Sequence, residues 1–281
     1  MSSVAVEVSR PHPPGFDGRQ FASNAAPAAI ALAIGVALWE TAARIWDQPF
    51  FPPFSAVVER LAELTAEGKI LTSLVGSLSN LVMGFAISAV VGVGLGMLMG
   101  AYRKVEMALD VYVYAMLTAP SLVFAPIFFA IFGLGRASIL GVIIVYSMFI
   151  IIINTVSAIR GVSPALIEMG RSYCASERQL FFKIILPAAL PLIFAGLRLG
   201  MGRAVKGTIN GEMFISAVGL GAVVISAGRR FDAAAVLAVL LVIIIVALIA
   251  IKLVQIVDAR LTGWLPSTAR QGRAGRAAAP G

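Results

Sequence analysis

The 281-residue chain contains one cysteine, Cys174, and one histidine, His12. A single thiol excludes an intrachain disulfide, and a single imidazole excludes a histidine-rich metal site. No Ser–His–Asp set can be assembled, because His12 lies in a polar N-terminal stretch. Charge is scarce as well: Asp, Glu, Lys and Arg make up 13% of the residues, whereas a soluble domain is about a quarter charged. The N-terminal run MSSVAVEVSRPHPPGFDGRQ has no apolar signal-peptide region and reads as a flexible polar tail. The net charge is +8, yet no basic stripe with interleaved aromatics occurs, so nucleic acid is excluded as a partner.

What the chain has in abundance is apolar sequence. Hydrophobic residues make up 59% and mean hydropathy is +0.95, values that place it among polytopic membrane proteins. A helix needs about 20 mostly apolar residues to cross a bilayer core, and about six segments qualify on that measure. They lie near Pro27–Trp46, Leu74–Met99, Leu109–Phe132, Ile139–Ile159, Pro191–Ile215 and Ala233–Val257. Backbone amides in lipid must be satisfied within their own segment, so an all-α bundle is expected.

The basic residues orient the spans. Arg10 and Arg19 precede the first, and Arg103 and Lys104 follow the second. Arg160, Arg171, Arg178 and Lys183 lie between the fourth and fifth. Lys252, Arg260, Arg270, Arg273 and Arg276 end or follow the sixth. The opposite connections carry fewer: Arg60, Lys69, Arg136, Arg229 and Arg230. The positive-inside rule places both termini in the cytoplasm. The chain then divides into a cytoplasmic tail (1–24), a first span with an external helix (25–73), a core (74–264) and a disordered cytoplasmic tail (265–281). Within Asp47–Ser73, Val57, Val58, Leu61 and Leu64 recur at helical spacing among Glu59, Arg60, Glu63 and Glu67, the pattern of a surface amphipathic helix.

Small residues crowd two spans. Gly92, Gly96 and Gly100 are spaced by four, with Gly94 between, and Gly196–Gly200 and Gly207–Gly211 repeat the spacing. Such positions let helix backbones approach closely in lipid. Pro120 and Pro126 predict a kink in the third span.

Glu168–Pro191, EMGRSYCASERQLFFKIILPAALP, is a charged island in this apolar sequence. Ser163-Pro164 is a helix start, with Ser as N-cap and Pro at the first helical position. A first short helix is predicted over Ala165–Tyr173, with a break near Cys174-Ala175. Ser176 and Gln179 match a capping box. Leu180, Phe181, Ile184 and Ile185 form the apolar set of a second helix, which Leu186-Pro187 is expected to end.

The island resembles the Glu-Ala-Ala loop of ABC-importer permeases, whose pattern runs Glu-Ala-Ala, three residues, Gly, then about nine residues to Ile-x-Leu-Pro. Glu168 occupies the Glu position, Met169 and Gly170 replace the alanines, Cys174 replaces the Gly, and Ile184, Leu186 and Pro187 match the end. SLSNLVMGFAISAVVGVGLGMLMG, FGLG at Phe132–Gly135, GEMFISAVGLG at Gly211–Gly221 and Arg260…Trp264 resemble nitrate/sulfonate/taurine-type permeases. The resemblance implies a type I permease bundle in which the 160–190 loop is a coupling helix. Glu168, Gly170, Cys174, Ser176, Ile184, Leu186 and Pro187 would then meet a cytoplasmic ATPase subunit. With Cys174 at the Gly position the turn is expected to persist with altered geometry. The resemblance also implies a second copy of the chain, a dimer of ATPase subunits that use ATP and magnesium, and an external or periplasmic binding protein delivering a small anionic solute. The setting would be the bacterial inner membrane.

No ATPase lies within the chain. Gly202–Thr208, GRAVKGT, has two glycines at P-loop separation but no Lys after Gly207, and it sits inside a span. A permease has no chemistry of its own to perform, so no enzyme activity, metal or cofactor is expected in this chain. Charged groups at membrane depth usually face a cavity. Lys206, Asn210 and Glu212 are therefore candidate substrate-pathway residues, with Lys206 and Asn210 on one helix face and Lys206 alternatively pairing with Glu212. Asn154 and Ser121, like Asn80 and Ser147, either line a cavity or bond between helices. The alternative function is an ATP-independent secondary transporter or channel, which would call for internal repeats or paired buried acids.

Overall fold

The computed structural model describes residues 18–46, 48–215 and 218–262. His12, the two predicted tails apart from residues 18–24, and Trp264 lie outside them. The described residues are helical, with no strand among them. In order the helices are α1 (Gly18–Trp46), α2 (Phe54–Ala66), α3 (Lys69–Ala101), α4 (Arg103–Thr118), α5 (Phe124–Phe132) and α6 (Arg136–Arg160). They continue with α7 (Pro164–Ser172), α8 (Glu177–Leu180), α9 (Leu186–Ile215), α10 (Gly219–Arg229) and α11 (Ala233–Leu261).

Five helical stretches are long and apolar enough to cross a membrane: Ala29–Trp46, Lys69–Ala101, Arg136–Arg160, Glu177–Ile215 and Ala233–Leu261. The third predicted span is not a kinked rod. It is two helices, α4 and α5, set at 89°. The cause is Ala119-Pro120. Ala119 takes an extended backbone, φ −59° and ψ 139°, because a residue before proline is disfavoured in the helical region. A single 3₁₀ turn, Ser121–Val123, then restarts the chain. Pro126 falls in the first turn of α5, where its missing N–H is not required.

α6 is the centre of the bundle, sandwiched between α3 and α9. The glycine spacing explains how both neighbours come so close. On α3, a Cβ at Gly84, Gly96 or Gly100 would press on Ile143, Thr155 or Ile159 of α6. On α9, Gly196, Gly200 and Gly207 meet Asn154, Ile151 and the Ile143–Tyr146 turn. Gly94 faces open space instead. Ser147 on α6 donates its hydroxyl to the Ile143 carbonyl and also lies 2.8 Å from Ser88 on α3, while Asn154 Nδ2 donates to the Ile150 carbonyl at 2.7 Å. Ser147 is therefore engaged between helices, whereas the Asn154 bond stays within α6.

α2 is the expected amphipathic helix, with Val57 and Leu64 buried and Glu59 and Glu63 exposed; Val58, expected in the apolar set, is exposed instead. Leu64, Ile70, Leu220, Ala227, Ala235 and Val239 form one cluster that joins α2 and α10 to the starts of α3 and α11. Arg60 of α2 bonds Asp232 at 2.9 Å, and Asp232 in turn caps α11 by accepting the Ala235 N–H. Glu63 and then Asp232 hold the Arg60 guanidinium above its already high ordinary pKa. Lys69 holds the Glu67 carboxyl below its ordinary range. Trp39 stacks on Phe51 and meets Phe54 edge-on, and Trp39 Nε1 donates to the Pro52 carbonyl at 3.1 Å.

Candidate functional site

At the far ends of α3 and α6 the charged island forms a helix–turn–helix knob. α7 opens with Pro164 in its first turn, but Ser163 makes no side-chain cap. The helix ends in a Schellman motif: Cys174 N–H donates to the Arg171 carbonyl at 2.9 Å and Ala175 N–H reaches the Gly170 carbonyl at 3.2 Å. That motif requires a left-handed residue at the position after the cap, and Cys174 takes φ +55°. The turn thus persists with cysteine in the conformation that glycine favours. The capping box forms as the sequence predicts. Ser176 Oγ accepts the Gln179 N–H at 3.3 Å, and Gln179 Oε1 accepts the Ser176 N–H at 2.9 Å.

Gly170 is buried where α7 crosses the following helix; a Cβ there would meet Leu180 and Ile184. Glu168 points outward and is exposed, with Met169 beside it. Arg171 and Glu177 bridge the two arms of the knob at 3.5 Å, both largely exposed, an arrangement worth little in water. A cavity of about 820 Å³ separates the knob from the end of α3, lined by Arg160, Glu177, Arg178, Phe181 and Phe182 among others.

Leu186-Pro187 does not end the second helix. α8 passes through one π turn, Phe181–Ile185, directly into α9, so that Glu177–Ile215 is one continuous helix. The physical reason is the width of the turn. Leu186 N–H bonds the Phe181 carbonyl, five residues back. A wider turn accommodates the Pro187 ring, which would otherwise clash with the carbonyl four residues earlier.

The candidate pathway residues separate onto two faces of α9. Leu199, Arg203, Lys206 and Phe214 are exposed, and Asn210 half-buried, along one stripe. Asn210 Nδ2 donates to Tyr146 Oη at 2.7 Å. Met201, Val205, Thr208 and Glu212 are buried on the opposite face. Glu212 is 0% exposed and accepts from Ser77 Oγ (2.7 Å), Asn80 Nδ2 (3.2 Å) and Gly221 N (3.2 Å). It therefore does not join Lys206, which has no ion pair among the described residues. Asn154 lies in the α6–α9 contact, and Ser121 is half-buried in the 3₁₀ turn of the broken span. The sequence supplied no signal for Ser77 as a partner of Glu212, because 135 residues separate them.

Comparison with known proteins places these features. Residues 92–263 match the family described as "Binding-protein-dependent transport system inner membrane component". The formylaminopyrimidine transport permease of Halalkalibacterium halodurans is 32% identical over 202 residues, covering 72% of this chain and 80% of the relative. The taurine transport system permease of Escherichia coli is 28% identical over 240 residues, 83% of this chain and 87% of the relative. Among solved structures, the inward-facing MetNI methionine ABC transporter superposes with a TM-score of 0.60 at 19% identity, covering 69% of this chain and 96% of that one. The bundle is thus an ABC-transporter permease fold, a multi-pass assembly of membrane-spanning helices. The chain belongs to the family of binding-protein-dependent inner-membrane transport components, as a permease of the nitrate/sulfonate/taurine type.

Proposed function

We propose that this chain forms the translocation path of an importer built from two copies of itself, two ATPase subunits and an external binding protein, with the knob as the coupling element. One observation carries the reading: the helix that starts in the knob is the same helix that bears Arg203, Lys206 and Asn210. α7 rests on its base through Gly170 against Leu180 and Ile184. At 1.5 Å per residue, Ile184 and Lys206 lie about 33 Å apart along one rod. A push on α7 by a closing ATPase pair acts at the bottom of a lever whose upper part lines the path. Exposed Glu168 offers a charge-assisted hydrogen bond to a basic or amide group of the ATPase.

The solute is a small anion of the sulfonate or nitrate kind. Two cations on the exposed face of a spanning helix are costly against lipid and belong in a polar cavity, where they offer an anion its counter-charge. The relatives' names for taurine and other small polar metabolites agree with a solute of this size. ATP and magnesium act in the partner ATPase, and both chain termini, with the knob, face the cytoplasm. The test is Glu168→Ala and Glu168→Lys in the complete complex in liposomes, with binding protein and solute enclosed on the external side. ATP-driven transport is expected to fall at least tenfold while the permease stays folded. Normal transport and normal ATPase co-purification in both variants would overturn the reading.

A further inference from the structure

The buried face of α9 carries a carboxylate that the coupling scheme does not use. Glu212 accepts hydrogen bonds from three groups on two other helices: Ser77 and Asn80 of α3, and the Gly221 amide of α10. Ser77 Oγ in turn accepts the Leu220 N–H at 2.8 Å, which leaves the Ser77 hydroxyl proton for Glu212. Two of the orphan amides at the start of α10 are therefore satisfied from α3 and α9, not from α10's own flank. Val218 just before α10 makes no side-chain cap. Backbone geometry fits this arrangement closely. Gly219, at φ +81°, has no room for a Cβ against the Glu212 carboxyl, and a Cβ at Gly221 would touch the Glu212 side chain.

The same carboxylate fixes how α9 is rotated. At about 100° per residue, Glu212 lies across the helix from Leu199, Arg203, Lys206 and Asn210. Pinning Glu212 to α3 and α10 thus commits Arg203 and Lys206 to the opposite side. We propose that Glu212 is a positioning residue: a clasp that joins α3, α9 and α10 and thereby holds the Arg203–Lys206 face toward the path. The link to the path rests on the function proposed above; the clasp itself does not.

Two measurements on the intact permease–ATPase complex separate these parts. The first is amide hydrogen exchange at Leu220 and Gly221 in Glu212→Ala against the parent. At least tenfold faster exchange there, with exchange in α11 unchanged, is expected. The second is binding-protein-dependent uptake of a sulfonate such as taurine, read as KM and maximal rate. A KM raised several-fold is expected, because the misplaced cations, not the fold, are what has changed. Unaltered protection at Leu220 and Gly221 overturns the clasp. Lost protection with unaltered KM and rate overturns the positioning role and leaves the coupling reading standing, since that reading is tested at the knob and not at Glu212. Should Glu212→Ala not assemble, Ser77→Ala is judged by the same two readouts. It removes one donor to Glu212 and the acceptor of Leu220, and a parent-like result in it sinks the proposal equally.

Discussion

Cys174 holds the left-handed conformation that closes α7, a geometry that costs an L residue about 1–2 kcal/mol. Glycine there removes the strain but loosens the unfolded chain by about 0.4–1 kcal/mol. The two effects nearly offset. Cys174→Gly is therefore expected to shift stability by less than about 1 kcal/mol, toward the more stable side. Cys174→Val is expected to be less stable than the parent, because a branched Cβ is a genuine outlier at positive φ, both measured as thermal midpoints of the solubilised permease. This turn was readable from the sequence, because the capping box of Ser176 and Gln179 is local chemistry spaced over three residues. Glu212 was not. A lone acid in an apolar run reads as a group facing a cavity, and only the fold brings Ser77 and Asn80 to it from a distant helix.

At the scale of helices, the four-residue spacing puts Gly96 on one stripe with Gly92 and Gly100 and leaves Gly94 off it. α6 packs against that stripe and not against Gly94. A Cβ at Gly96 meets Thr155 and the Ile152 carbonyl, whereas one at Gly94 meets nothing within 4 Å. Gly96→Leu must therefore drive α3 away from α6, and an overpacked contact of this kind costs about 1–3 kcal/mol. Gly94→Leu is expected to change stability by less than about 0.5 kcal/mol. The paired comparison is read as yield and thermal midpoint of the monodisperse chain; equal losses in both would contradict the α3–α6 contact. The prolines are less legible. Pro120 breaks its span through the extended backbone of Ala119, while Pro187 is absorbed by a π turn. Pro191 lies inside α9 without interrupting it, so the presence of a proline does not by itself reveal a break. The existence of the spans was legible because apolar length suffices; their continuity was not.

For the whole molecule, the working arrangement depends on which side of the membrane the knob occupies. The bundle has two unlike ends. One carries α2 and α10, with Arg60 of α2 bonded to Asp232 at the start of α11 and Glu212 of α9 accepting the Gly221 amide of α10; the other bears the knob. An ATP-driven push can act only from the cytoplasm, so the rod from Glu177 to Ile215 transmits force only if Cys174 is inside. The chain supplies its own probe, because Cys174 is its one cysteine and is exposed. A membrane-impermeant maleimide is expected to label Cys174 in inverted membrane vesicles and to leave intact spheroplasts unlabelled. Addition of the partner ATPase to inverted vesicles is expected to slow the labelling, because an ATPase seated on α7 at Glu168 also covers the turn at Cys174 that closes this helix. Labelling of spheroplasts would place the knob outside and remove the basis for coupling. Labelling of inverted vesicles at a rate indifferent to the ATPase would keep the orientation but put the docking surface elsewhere on that end of the bundle.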